Sequence, residues 1–169
     1  ELYKALEQAG VCEWLCVCSG FLPARDASAR LLSFLNRQDR FGATVGGCCS
    51  GSYLLLRAGL LEDEPFTIHW EHAVALGEEY PERTPTMDLY LLRGRRFSCA
   101  GGAAMFDMML DVLARAFSPA LAEDVRAQLL IHDSREDQQA LQRRTMFSQA
   151  PVLHPGLARA VELFLAGVP

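Results

Sequence analysis

The sequence lacks the long apolar runs and the clustered charges that mark membrane proteins and nucleic-acid-binding chains. Although 50% of its 169 residues are hydrophobic, no stretch approaches the ~18 apolar residues of a membrane-spanning helix, and no signal segment opens the chain. The net charge is −5, and the basic residues are scattered rather than clustered. The composition therefore predicts a soluble, cytoplasmic chain with no membrane partner, and one that does not itself hold DNA.

The six cysteines also lack a disulfide or zinc pattern. Four of them lie inside apolar, strand-like runs, whereas disulfide frameworks are typical of small secreted chains. Cys12, Cys16 and Cys18 do not have zinc-ribbon spacing, and in a strand only Cys16 and Cys18 share a face. His69 and His72 lie three apart without the carboxylate of an HExxH motif. We therefore expect reduced thiols, no metal site and no cofactor.

Short apolar runs alternate with helical patterns along most of the chain. The runs predict buried strands at residues 14–18 and 43–48, a short strand at 66–69, and a strand pair at 88–92 and 95–98 around a tight turn. Helical spacing predicts helices at residues 26–40, 51–61 and 71–80, another from Ala103, and one after the N-cap Ser118. Strands that alternate with helices imply a mostly parallel sheet covered on both faces.

The helix from Ala103 carries both apolar and charged residues at helical spacing. Its predicted apolar stripe consists of Ala104, Met105, Met108, Met109, Val112 and Leu113. Asp107, Asp111 and Arg115 fall on the other side in this pattern, so we predict that Asp107 lies on the exposed face; a ligand contact is the alternative.

Residues 47–51 read Gly-Cys-Cys-Ser-Gly and fit the pattern G-x-C-x-G. They lie directly between a predicted strand and a predicted helix, which is the context of a nucleophile elbow. Cys49 is the central residue and would face the crevice at the carboxyl end of the sheet. A helix N-terminus favours the thiolate there, so we predict a reactive thiol. The alternative is a buried cysteine that fills a small space.

Catalysis by Cys49 would also need a histidine within hydrogen-bond reach and an acid to orient it. His69, in the run His69-Trp70-Glu71, is the candidate base. The H-x-E spacing resembles the acid-base pair of glutamine amidotransferases, but there the pair comes late in the chain. We therefore do not predict a catalytic triad, and His69 either lines the crevice or is a structural residue.

Residues 99–102, Cys-Ala-Gly-Gly, form a second glycine-bearing passage from a strand to a helix. Their backbone N–H groups could bind a carboxylate or phosphate near the first turn. Close packing of helix against strand is the equally open alternative.

Together these motifs resemble the class I glutamine amidotransferase-like (PfpI-like) domain at the N-terminus of AraC-type transcriptional activators. The resemblance rests on residues 47–51 and their continuation to residues 57–61, on residues 67–71, and on residues 99–102 with Asp107. It runs from about Trp14 to the end of the chain.

The resemblance implies an α/β fold, a flavodoxin-like three-layer sandwich with a mostly parallel sheet and a nucleophile elbow. It implies a homodimer that senses a small nitrogenous effector of the amino acid or quaternary amine class; several members look like responders to arginine, betaine or carnitine. DNA would be contacted only through a C-terminal helix-turn-helix domain. The expected ligand-binding residues are Cys49, Ser50, Gly51, His69, Cys99, Gly101 and Gly102.

The sequence departs from the related intracellular proteases at the position after the cysteine. Ser50, not histidine, follows Cys49, so their Cys-His pair is absent. We also expect that the early strand carrying their supporting glutamate is absent. Residues 1–132 are predicted to form the amidotransferase-like domain without its N-terminal strands. Residues 133–169 are predicted to be a polar, solvated connector and a helix that leads to the missing helix-turn-helix domain.

The favoured hypothesis is thus a non-catalytic, ligand-sensing and dimerising domain of a bacterial regulator. The alternative is a cysteine-dependent hydrolase, amidotransferase or deglycase of the PfpI-like superfamily, with Cys49 as nucleophile and His69 as base. A purely structural dimerisation module is the third hypothesis.

Overall fold

The computed structural model describes residues 9–20, 23–131 and residue 142. The predicted connector and C-terminal helix lie outside the described residues, apart from Gln142. No helix in the described part of the chain is long and apolar enough to cross a membrane.

Four strands and six helices follow one another in the described residues. In chain order they are β1 (Trp14–Ser19), α1 (Pro23–Asp26), α2 (Ala29–Arg40), β2 (Thr44–Cys49), α3 (Gly51–Arg57), α4 (Trp70–Glu79), β3 (Tyr90–Arg93), β4 (Arg96–Cys99), α5 (Ala104–Ala116) and α6 (Pro119–Gln128). The alternation of strands and helices expected from the sequence is present, and Ser118 accepts a hydrogen bond from the backbone N–H of Leu121 as the N-cap of α6.

The four strands form one mixed sheet in the order β1-β2-β4-β3. β1, β2 and β4 are parallel, and β3 pairs with β4 as the antiparallel hairpin predicted around Gly94. The mostly parallel sheet is therefore confirmed. Because parallel strands end at the same edge, the turns after β2 and β4 come together there.

Helices cover both faces of this sheet, as alternating β and α elements require. On one face, Val17 and Val45 pack with apolar residues of α2 and α3 in the larger core cluster. On the other face, Cys48, Phe97 and Cys99 pack against Met108 of α5. The two clusters make the layered α/β arrangement that was expected.

Strand β1 is not the buried strand that its apolar sequence predicts. Val17 is buried, but Trp14, Cys16 and Cys18 on the opposite side are exposed. Among the described residues β1 is an edge strand, and its partner β2 covers it on one side only. Apolar composition alone does not distinguish this position from a central strand.

The predicted strand at residues 66–69 is also wrong. Thr67 makes a single bridge to Thr86 and no ladder, although Phe66, Thr67 and Ile68 are all buried. The backbone N–H of Thr67 donates instead to the Ser98 hydroxyl at 2.9 Å. A side chain on β4 thus takes the bond that a neighbouring strand would have made.

The predicted helix at residues 26–40 is two helices. Ser28 has an extended backbone, and its hydroxyl accepts from the Leu31 N–H, so it is the N-cap of α2. Asp26 belongs to the preceding short helix α1. A serine inside an apolar period is a start signal that the periodicity obscured.

The apolar stripe predicted for α5 is rotated in the structure. Leu110 is buried and Met109 is 41% exposed, the reverse of the prediction. Asp107 is half-buried, and the Asp111 carboxylate accepts from the Tyr90 hydroxyl at 3.3 Å. The prediction that Asp107 lies on the exposed face is therefore wrong, since α5 turns this side toward β3.

Candidate functional site

Cys49 occupies a strained turn between β2 and α3. Its φ is 58°, in the left-handed region that residues with a side chain rarely adopt. Such strain costs about 1–3 kcal/mol and is found mostly at ligand and active sites. The nucleophile-elbow geometry predicted from residues 47–51 is therefore present.

The two glycines of the motif are required by close packing. A Cβ on Gly47 would lie 2.4 Å from the backbone nitrogen of Ser52, and one on Gly51 would lie 1.9 Å from the carbonyl oxygen of Val17. Helix α3 thus starts directly against β1 and β2. This contact holds the turn, and with it Cys49, at the carboxyl edge of the sheet.

The second glycine turn approaches Cys49 as predicted. Gly101 has a φ of 92°, and a Cβ there would lie 2.9 Å from the Cys49 Cβ. Gly102, with a φ of 57°, is exposed beside it. The backbone after β4 therefore forms one wall next to Cys49.

His69 contacts the Cys49 turn through its backbone. Its N–H donates to the Cys49 carbonyl oxygen at 3.4 Å. Its Nδ1 accepts from the Glu71 N–H at 3.4 Å and lies 3.6 Å from the Glu71 carboxylate. The imidazole is thus the N-cap of α4, and the described hydrogen bonds include none between it and the Cys49 thiol.

The thiolate predicted for Cys49 is not favoured in the structure. Burial raises the pKa of the Cys49 thiol, and the nearby Glu71 carboxylate acts in the same direction. The hydrogen bond from the Ser50 N–H opposes them but does not outweigh burial. The expected effect of the helix N-terminus is present, yet desolvation is the larger effect here.

The other expected ligand residues lie beneath the turn. Ser50 is fully buried and its hydroxyl donates to the Gly20 carbonyl at 2.6 Å. Gly51 is buried against β1, and Cys99 is buried with its sulfur accepting from the Gly101 N–H at 3.4 Å. Of the seven expected residues, the structure thus brings Cys49, His69, Gly101 and Gly102 to the surface of the crevice, while Ser50, Gly51 and Cys99 shape it from below.

Three thiols lie side by side across the sheet next to this site. The strand register pairs Cys18 with Cys48 and Cys48 with Cys99. The hydrogen bond with Cys99 raises the pKa of Cys48, and burial acts in the same direction. Cys16 and Cys18 share a face, as predicted, with their sulfurs 3.8 Å apart. The six cysteines are free, and the described residues contain no group of three ligands that could hold a metal.

A cavity of about 490 Å³ lies elsewhere, between β1 and the helices α1 and α2. Arg25, Asp26 and Ser28 contribute its polar lining, together with Cys16 and Cys18. Neither Cys49 nor His69 lines this cavity. The crevice at Cys49 is thus separate from this cavity.

Sequence reasoning missed Gln142 altogether. It falls in the predicted solvated connector, but its side chain bonds to the backbone beside His69. Contacts across more than 70 residues leave no local sequence pattern, so no periodicity or motif could have found it.

Comparison with known proteins places this geometry in context. No family model matches the chain. It is 39% identical over 145 residues to the HTH-type transcriptional regulator CdhR of Pseudomonas aeruginosa, a match that covers 85% of this chain and 43% of that regulator. The chain thus spans less than half the length of this relative.

Solved structures give the same result. An AraC family transcriptional regulator from Pseudomonas putida matches with a TM-score of 0.60 and 30% identity, over 75% of this chain and 66% of that one. A ThiJ/PfpI family protein from Pseudomonas syringae has a TM-score of 0.66 at 22% identity, over 92% of this chain and 61% of that one. The second match shows the fold alone and confirms the flavodoxin-like class. The chain is thus homologous to part of an HTH-type transcriptional regulator and to part of an AraC family one, and its fold is that of the ThiJ/PfpI proteins.

Proposed function

We propose that this chain is the ligand-sensing and dimerising part of a bacterial, cytoplasmic AraC-type transcription regulator. Residues 1–132 form the sensing domain, and residues 133–169 lead from it to a helix-turn-helix domain that contacts DNA. The effector is a small nitrogenous metabolite, an amino acid or a quaternary amine. It occupies the crevice between Cys49, His69 and the Gly101 turn, so that its binding biases the attached DNA-binding domain.

The environment of Cys49 and His69 favours ligand sensing over catalysis. The turn keeps the geometry of a nucleophile elbow, but burial raises the pKa of Cys49, and Nδ1 of His69 is engaged by Glu71. A cysteine nucleophile needs the opposite, a lowered pKa or a base in contact with sulfur. A sensor needs only a ligand that binds one conformation better than another. The relatives that match at 30% identity or more are named as regulators, which supports the same choice.

The arrangement of backbone groups also suits a small polar ligand. The Gly101 turn has two successive residues with positive φ and lies directly beside Cys49. The Gly101 N–H donates to the Cys99 sulfur, so the N–H of the exposed Gly102 is the backbone group that we expect to meet a ligand carboxylate. The Glu71 carboxylate lies 3.6 Å from His69 and is close enough to raise the pKa of Cys49. A carboxylate at one end and a cation at the other is the charge pattern of an amino acid or a betaine.

Thermal stabilisation by a panel of amino acids and quaternary amines tests this proposal. A ligand at about 100 times its Kd adds about 2.7 kcal/mol, which raises the Tm of a domain of this size by about 5–11 °C. We expect at least one compound to give a saturable rise that His69→Ala reduces. His72→Ala, three residues further along the same helix, is the matched control and should leave the rise unchanged.

Two results would overturn the proposal. Full-length protein that gains no stability from the whole panel would contradict sensing of this ligand class. Rapid labelling of Cys49 by iodoacetamide at neutral pH, with turnover of an amide or glycated substrate that Cys49→Ala abolishes, would establish the enzyme instead.

A further inference from the structure

Gln142 makes an unusually complete set of hydrogen bonds for a residue in a polar stretch. Its Nε2 donates to the Ile68 carbonyl at 2.9 Å and the Thr67 hydroxyl at 3.0 Å, and the Asp88 carbonyl lies within 3.3 Å. Its Oε1 accepts from the Trp70 N–H at 2.8 Å. Its own N–H donates to the Met87 carbonyl at 2.8 Å. Both ends of the amide are thus used.

Two of the contacted groups, the Trp70 N–H and the Ile68 carbonyl, have no other hydrogen-bond partner among the described residues. Trp70 is the first residue of α4, and N–H groups in the first turn of a helix have no acceptor within the helix. Ile68 is buried and, like Thr67, lies outside any strand, so its carbonyl has no ladder to join. Gln142 therefore supplies hydrogen bonds that a neighbouring strand would otherwise make to this part of the chain.

Two short routes lead from Gln142 to the turn at Cys49. In the first, Gln142 holds Ile68 and Trp70 on both sides of His69, whose N–H bonds to the Cys49 carbonyl. In the second, Gln142 bonds to Thr67, whose carbonyl accepts from the Ser52 hydroxyl at 2.8 Å.

The first route ends at Cys49 itself. The second ends at Ser52, which lies three residues after Cys49 in the first turn of α3. The Thr67 N–H is held in turn by Ser98 of β4. Thr67 therefore ties Gln142 to the sheet and to the helix that begins at the elbow.

We propose that Gln142 is a positioning residue of the crevice, which fixes the His69 segment against Cys49 and links occupation of the crevice to the hydrogen bonds of Gln142. The link to occupation rests on the proposed function, whereas the positioning of the segment does not. Because coupling between sites is reciprocal, a change at Gln142 alters the crevice and a change in the crevice alters the hold on Gln142.

Gln142→Ala in the full chain tests the positioning without any effector. Two readouts are followed together, cleavage by trypsin after Arg143 or Arg144 and alkylation of Cys49 by iodoacetamide, each resolved by peptide mass spectrometry. We expect both rates to rise about fivefold, the factor for losing about one hydrogen bond of net stabilisation. Gln128→Ala, at the exposed end of α6, is the matched control and should change neither rate.

The alkylation of Cys49 separates positioning from mere attachment. If trypsin cleaves Gln142→Ala faster while Cys49 reacts at the wild-type rate within twofold, Gln142 only anchors its own segment and the proposal is wrong. Unchanged rates for both readouts would also overturn it. These outcomes are measured without any metabolite. The sensing proposal can therefore fail while the positioning role of Gln142 stands, and the positioning role can fail while the sensing proposal stands.

Gln142→Glu gives a second test that keeps the size of the side chain, so it does not depend on the protein tolerating the truncation to alanine. An ionised carboxylate still accepts from the Trp70 N–H but cannot donate to Thr67 and Ile68, whereas a protonated carboxyl group can donate once. We expect trypsin to cleave Gln142→Glu faster than wild type at pH 8. Near pH 5 the ratio to wild type should fall, because the Ile68 and Asp88 carbonyl oxygens that face the new carboxyl group favour its protonated form.

The wild-type comparison corrects for the other titratable groups near this position, namely His69, Glu71, His72 and Asp88. Cleavage of Gln142→Glu that follows wild type at both pH values would contradict the role assigned to the Gln142 amide.

Discussion

Gly51→Ala measures how firmly the elbow is built against the sheet. The added methyl carbon would lie 1.9 Å from the Val17 carbonyl oxygen and 2.9 Å from the Val17 carbonyl carbon, whereas ordinary contact begins at 3.4 Å. Both atoms are backbone of β1, and that strand is held in register to β2 along its length. Neither side can yield by rotating a side chain, so the helix must move by about an ångström or more.

The expected cost follows from that displacement. Overpacking a well-packed core costs about 1–3 kcal/mol and occasionally more, and here the clash is with backbone. We expect a loss of about 3 kcal/mol in the free energy of unfolding, even after the gain of up to about 1 kcal/mol from replacing glycine at a helix start. For a domain of this size the Tm falls by about 6–12 °C.

Gly77→Ala is the matched control, and it should change the free energy of unfolding in the opposite direction. Gly77 lies within α4, is exposed, and has no atom within 4 Å of an added Cβ. Alanine there should stabilise by about 0.5–1 kcal/mol through helix propensity and a less flexible unfolded chain. Urea unfolding followed by circular dichroism measures both variants. If Gly51→Ala unfolds within 1 kcal/mol of wild type, α3 is not packed against β1 as described and the reasoning fails.

Three further outcomes are expected. The alkylation rate of Cys49 by iodoacetamide should still be rising with pH at pH 9, because burial raises the pKa of this thiol and only the thiolate reacts; a plateau below pH 8 would contradict this. Ser52→Ala should cost about 1–2 kcal/mol in urea unfolding, since it removes a buried hydrogen bond to the Thr67 carbonyl, while Ser52→Thr at unchanged stability would argue against tight packing there. Ser118→Ala should cost about 0.5–2 kcal/mol through loss of the N-cap of α6, and Ser118→Asp should retain most of that stability.

The sequence predicted the elbow because all of its determinants are local. Two glycines, a strand before them and a helix after them lie within about twenty residues. The local sequence pattern therefore determines the geometry of the turn. The Gly101 turn was found for the same reason. The hairpin at Gly94 likewise follows from two short runs around one turn.

The errors fall where distant residues decide the outcome. Residues 66–69 look like a strand, but Ser98 and Gln142 satisfy their backbone from 31 and 74 residues away. Asp107 looks exposed by helical spacing, yet α5 is rotated by its contact with β3. The pKa of the Cys49 thiol could not be predicted from the motif, because burial, which raises it, depends on the whole fold.

The buried hydroxyl of Ser50 also bears on how readily this domain could gain catalytic function. The related proteases carry a histidine at this position, but here the side chain is fully enclosed and bonded to the Gly20 carbonyl. An imidazole would have to displace the chain at Gly20 before it could reach sulfur. A histidine at position 50 would therefore need an accompanying change at Gly20 to be accommodated. Packing around one small residue thus ties the identity of position 50 to the path of the chain after β1.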